Sequence, residues 1–203
     1  PISNYVYSGL SILEMLKCVG VKELLRFNTI FHQKLYFHKK AELESHIISN
    51  VKYICAPSDW MAVNVSFLNN SAKIYKNHLP IRKEFNLAKK WNYNDNHIIY
   101  LSSAYSSSFK GLHIAIKSLW YVKKKIPNVK LRIAGGLRKK TYFRDGYINF
   151  ILRLITKLDL NENVFWLGEL GEKEIIQELQ NSSLVLLPSR SEERRVGKEC
   201  LRL

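Results

Sequence analysis

From His97 to Gly136 the sequence reads HIIYLSSAYSSSFKGLHIAIKSLWYVKKKIPNVKLRIAGG, and this stretch decides the fold. His97–Ser102 is an apolar run of strand length, followed by a serine-rich turn and Lys110-Gly111. Leu112, Ala115, Ile116, Leu119 and Val122 then recur at the spacing of one helix face. Pro127-Asn128 ends that helix. Val129, Leu131 and Ile133 alternate as a second strand, closed by Gly135-Gly136.

The same rhythm continues downstream. Tyr147, Phe150, Ile151, Leu154, Ile155 and Leu158 match a helix face, Val164–Leu167 a strand, Glu172–Gln180 a helix, and Leu184–Leu187 a continuous apolar run. Runs apolar on both faces suit buried parallel strands. Strands and helices alternating at this spacing imply an α/β fold with a doubly wound parallel sheet. Upstream the pattern is less regular: a helix over Lys34–Asn50, a strand over Val51–Ala56, a helix over Asp59–Leu68 with Ser58 as N-cap, and a strand over Ala72–Lys76. Asn77–Asp95 is polar and charged, contains Pro80, and reads as an inter-domain connection.

The chain of 203 residues carries a net charge of +15, which favours phosphate-bearing partners without choosing among nucleotide, nucleic acid and lipid headgroup. Cys18, Cys55 and Cys200 are far apart and suit a reducing compartment, so a cytoplasmic location is expected. The histidines are scattered, so neither a metal nor another cofactor is expected. The apolar stretch from Val6 to Val21 is broken by Glu14 and Lys17 and is too short to span a bilayer.

Tyr100–Gly111 (YLSSAYSSSFKG), the helix after it and VKLRIAGG resemble the opening of the nucleotide-sugar domain of group 1 retaining glycosyltransferases. The resemblance runs on through NENVFWLGELGEKEIIQELQNSSLVLLPSR; Tyr53–Phe85 resembles the end of the family's first domain more loosely, through an Asn-containing turn. It implies a GT-B fold of two Rossmann-like domains: residues 1–90 would be the last part of the acceptor domain with its linker, and 91–189 a truncated donor domain. The implied activity is transfer of a hexosyl or related sugar from a nucleoside diphosphate-sugar to a glycan or lipid-linked acceptor. Polysaccharide biosynthesis is the expected setting. The family's Lys-Gly pair, here Lys110-Gly111, contacts the donor diphosphate. A helix N-terminus with its free N–H groups and partial positive charge suits that role and needs no divalent metal. Gly111 would let backbone and ligand approach closely, and Gly135 and Gly168, each after a strand, would shape the donor cleft. No catalytic residue is assigned, and His78 and His113 are expected to be structural.

The sequence departs from the family in two places. Tyr105 stands where the family places an Arg, five residues before the Lys, so it joins the donor-binding candidates with one cation fewer. The paired glutamates expected after the last strand are also out of register, with Glu192 near the first place and Cys200 at the second. Arg190–Cys200 (RSEERRVGKEC) is the translation of a common sequencing-library adapter, so residues 190–203 are expected to be foreign. That tail holds five positive and three negative charges, which leaves +13 of the +15 on the rest of the chain. With the first domain incomplete as well, this piece is expected to be inactive alone.

Lys22–Lys40 mixes basic residues with Phe27, Phe31, Tyr36 and Phe37, a pattern that fits peripheral contact with a membrane surface. It fits equally a helix with its aromatic face in the core. Two rival functions remain: a nucleotide-sugar epimerase of the same architecture, and a basic α/β module for nucleic acid. The first should carry more carboxylates and histidines. The second lacks any recognisable nucleic-acid-reading motif, and no nucleic acid is expected.

Overall fold

The computed structural model describes residues 9–19, 30–102, 108–135 and 146–189, without the side chains of residues 30, 31, 33, 34 and 109. The elements are α1 (Ile12–Lys17), α2 (Ile30–Asn50), β1 (Tyr53–Ala56), α3 (Asp59–Leu68), β2 (Lys73–Lys76) and α4 (Lys83–Leu87), then β3 (Ile98–Ser102), α5 (Leu112–Lys123), β4 (Lys130–Ala134), α6 (Gly146–Lys157), β5 (Val164–Gly168), α7 (Glu172–Asn181) and β6 (Leu184–Val185).

The four downstream strands form one parallel sheet in the order β5-β4-β3-β6. Side chains alternate across it. Leu101 of β3 and Leu131 and Ile133 of β4 face one way, into a core with Leu112, Ile116 and Leu119 of α5 and Tyr147, Ile151 and Ile155 of α6. Arg132, between Leu131 and Ile133, faces the other way, and both its Nε and Nη2 donate to the Glu178 carboxylate of α7 at 2.6 Å. Helices therefore cover both faces, and the sheet is doubly wound.

The expectation of burial for Leu184–Leu187 is corrected here. Only Leu184 and Val185 pair with β3, and Leu184, Val185 and Leu187 are 54%, 43% and 47% exposed. Among the described residues β6 is an edge strand, and an edge strand leaves an apolar run part-covered.

Upstream, β1 and β2 make a separate parallel pair. The Ser58 hydroxyl accepts the Met61 N–H and caps α3. Asn69 closes that helix: its amide donates to the carbonyls of Ile48 and Val51 at 2.8 and 2.9 Å, and its oxygen accepts from Ser71 and Ala72. The segment before α2 holds an element that apolar periodicity does not reveal. Ser11 and Glu14 form a capping box for α1. Leu10 and Cys18 lie in the same core as Leu101 and Ile151, and Glu14 pairs with Lys117 of α5 at 2.8 Å.

The connection between the sheets is fastened to α7 along its length. Arg82 pairs with Glu172 in the first turn. At the other end Asn94 and Asn96 donate to the carbonyls of Gln180 and Asn181, and the Trp91 indole donates to that of Ser182 at 2.9 Å. These side chains satisfy carbonyls that a helix end otherwise leaves open.

Candidate functional site

In an open α/β sheet the ligand crevice forms at the carboxyl ends of the strands, where the strand order reverses. Here successive strands run outward from β3 to β5, and α7 then returns the chain to place β6 on the other side of β3. The reversal therefore lies between β3 and β6. Beyond β3 the chain makes the turn Ser108–Lys110 and enters α5; beyond β6 it reaches Pro188-Ser189.

Gly111 is the N-cap of α5, with φ 73° in the left-handed region, and offers no side-chain cap. Its carbonyl accepts the first helical bonds, from Ile114 and Ala115, at 2.9 and 3.1 Å. Pro188 lies against it, with its carbonyl carbon 2.9 Å from where a Gly111 Cβ would be. In this structure the close approach that glycine allows is made by the chain itself, closing the crevice floor between β3 and β6.

Lys110 precedes Gly111 and is partly exposed, and no acidic residue occupies the first turn of α5. Its N-terminal dipole and the Lys110 charge therefore reinforce one another. The start of α7 is the opposite case: Glu172 and Glu174 sit in its first turn, and the Glu174 carboxylate accepts the Gly171 N–H at 2.6 Å. Of these two helix starts, that of α5 suits an anion.

Gly135 and Gly168 extend the rim away from the reversal. The Gly135 N–H donates to the Gly168 carbonyl at 2.7 Å, and the two have φ of 112° and 75°. A register shift lets Ala134 pair with Gly168 rather than Leu167. Among the described residues a Cβ at Gly168 would meet nothing within 4 Å. Lys110, Gly111, Gly135 and Gly168 thus lie along one edge of the sheet, Lys110 and Gly111 at the reversal and Gly168 at its far end. Tyr105, Gly136 and residues 190–203, with Glu192, lie outside the described residues.

Two further residues belong to this corner. His113, in the first turn of α5, and Tyr147 of α6 are both buried. The Tyr147 hydroxyl accepts the His113 backbone N–H at 3.2 Å and lies 2.8 Å from His113 Nδ1. The apolar periodicity of α6 signals that Tyr147 faces the core, but nothing in it points to a partner 34 positions away. Among the described residues no three His, Cys, Asp or Glu side chains gather as metal ligands would, and no helix is long and apolar enough to cross a membrane.

The sequence profile described as "Glycosyl transferases group 1" matches residues 83–194. No curated protein matches the chain significantly. Among solved structures, TarM aligns with a TM-score of 0.52 at 19% identity, over 66% of this chain and 25% of its own. A glycosyltransferase from Rickettsia africae aligns with a TM-score of 0.52 at 16% identity, over 71% of this chain and 41% of its own. A mutant of S. aureus TarM, solved with fondaparinux, alpha-GlcNAc-glycerol and UDP, aligns at 0.47 and 19% identity, over 63% of this chain and 24% of its own. The two likenesses at 0.52 concern the fold alone, which is of the GT-B type, and the chain spans less than half the length of each of these proteins.

Proposed function

Because the chain belongs to the group 1 glycosyl transferases, we propose that the full-length protein moves a hexosyl or related sugar from a nucleoside diphosphate-sugar to a glycan or lipid-linked acceptor, in polysaccharide biosynthesis. Residues up to about Lys90 contribute to the acceptor side and the linker, and residues 91–189 hold the donor. One observation carries the donor assignment: Lys110 stands before an α5 N-terminus free of acidic residues, at the point where the strand order reverses. As the sugar departs, negative charge grows on the diphosphate, and fixed dipoles and a cation in a sheltered crevice stabilise that charge without reorganising. Lys110 supplies the cation, α5 the dipole, and Gly135 and Gly168 the low rim over which the donor lies. Work at the cytoplasmic membrane surface is supported by exposed Tyr36, with the Lys40 ammonium 5.9 Å from its ring centre.

Steady-state transfer by the full-length enzyme tests this. Lys110→Ala should lower turnover on the order of a hundredfold, as loss of one preorganised charge-stabilising group does, with the thermal melt unchanged. The control is Lys125→Ala, an exposed cation just past the far end of α5. Lys123 is unsuitable, because its ammonium bonds the carbonyl and carboxylate of Asp159. Transfer at the parental rate by Lys110→Ala would remove the assignment.

A further inference from the structure

The helix that offers its N-terminus to the crevice has no cap of its own, and its first turn is held from beneath. Gly111 carries no side chain, so nothing at the cap position can accept the N–H groups of the first turn. The Tyr147 hydroxyl takes over part of that role, accepting the His113 amide at 3.2 Å. A hydroxyl can accept from an amide and share a second hydrogen bond at the same time. Here the second is with His113 Nδ1 at 2.8 Å, and the rings meet edge to face at 5.9 Å between centres. Both ends of the contact are rigid: His113 is wholly buried, and Tyr147 sits in the same core as Phe150 and Ile151. His113 follows Lys110 by three positions.

We propose that Tyr147 is a positioning residue for donor binding: through His113 it fixes the first turn of α5, and with it the direction in which Lys110 and the helix dipole meet the diphosphate. The proposal rests on the donor-site reading above. The route from Tyr147 to the donor is the contact with His113 at the start of α5. The contact joins α6 to α5, so the site's geometry is set by the packing of two helices rather than by the turn at 108–110 alone.

The experiment is a double-mutant cycle in the full-length enzyme, with Lys110→Ala and Tyr147→Phe alone and together. It is read by calorimetric titration with UDP, GDP and ADP in turn, and by kcat and KM for the best donor. Ile155→Val, two turns further along the same helix and in the same core, controls for loss of stability, whereas Phe150 stacks on the Tyr147 ring and is unsuitable. Tyr147→Phe should weaken nucleoside diphosphate binding about tenfold, because the first turn is no longer held in the orientation that Lys110 needs. That loss should shrink at least threefold when Lys110 is already alanine, since residues acting through one contact are not additive. Ile155→Val should lower the melt and leave the affinity alone. His113→Leu, which keeps the amide bond and removes the ring contact, provides a second cycle with a smaller coupled loss. Additive losses, parental affinity in Tyr147→Phe, or an equal loss in Ile155→Val would each overturn the positioning role while leaving the donor site standing. A silent Lys110→Ala would instead overturn the donor-site reading and this proposal with it.

Discussion

The carbonyl of Pro188 stands where a side chain on Gly111 would have to go, its carbon 2.9 Å from that Cβ position. Gly111 also adopts φ 73°, which costs an L-residue about 1–2 kcal/mol before any contact is counted. Gly111→Ala is therefore expected to lose about 2 kcal/mol or more of unfolding free energy, strain and backbone clash acting together. Denaturant titration of the variant checks this; a midpoint at the parental concentration would show that Pro188 gives way at no cost.

The Arg132–Glu178 pair predicts an asymmetry. Both side chains are largely covered, and the contact is bidentate at 2.6 Å. Removing one partner leaves a half-buried charge unanswered, so Glu178→Ala should cost about 1–3 kcal/mol. Replacing both, with Arg132→Met and Glu178→Leu, should cost less than Glu178→Ala alone. Equilibrium unfolding of the variants decides it, and a double replacement worse than the single one would contradict the argument.

The docking of α1 should depend on pH. Burial pushes the Glu14 carboxyl up, but hydrogen bonds and charge from Lys117, with the Ser11 amide and hydroxyl, outweigh it and hold Glu14 below its ordinary value. A carboxylate depressed by folding adds stability above the ordinary carboxylate range. That stability is lost as pH falls through the depressed value. Labelling of Cys18 and Cys55 reads this out: Cys18, the C-cap of α1, is buried and Cys55 is exposed. The rate at Cys18 relative to Cys55 should rise on acidification, and should already be raised at neutral pH in Glu14→Gln.

Asn69 should resist even an isosteric change. Asn69→Asp keeps the oxygen that serves Ser71 and Ala72 but sets a second oxygen against the carbonyls of Ile48 and Val51. The expected cost is about 2 kcal/mol or more at neutral pH. It should ease in acid, because burial beside carbonyls raises the folded-state pKa of the new carboxyl and favours its protonated form. Unfolding at pH 7 and pH 4 measures the difference.

Much of this is legible in the sequence because each signal is local. Ser58 before Asp59–Leu68 and the apolar faces of α5 and α6 mark their elements within one or two turns, and the structure places them there. The four parallel strands follow from their alternation with helices. What escapes depends on partners distant in sequence. The burial expected of β6 fails because an apolar run carries no record of whether a neighbour covers it. The capping box at Ser11 and Glu14 is present as a pattern, yet it precedes only six helical residues, and a periodicity search finds no face in so short a span. Pro188 against Gly111, and Tyr147 beneath His113, join positions that no periodicity connects.

The fastening of residues 82–96 to α7 bears on where one folding unit ends. A boundary drawn at Lys90, or a shortened version starting at Asp95, would discard Arg82 and leave the first ion pair of α7 unanswered. The shorter version would also lose Trp91 and expose the Ser182 carbonyl. Autonomy in such a protein is a property of capping rather than of the sheet alone. A stretch whose composition marks it as a tether serves, thermodynamically, as the outermost layer of the domain downstream of it. Excision upstream of Arg82 should therefore give a better-behaved domain than excision at the composition break.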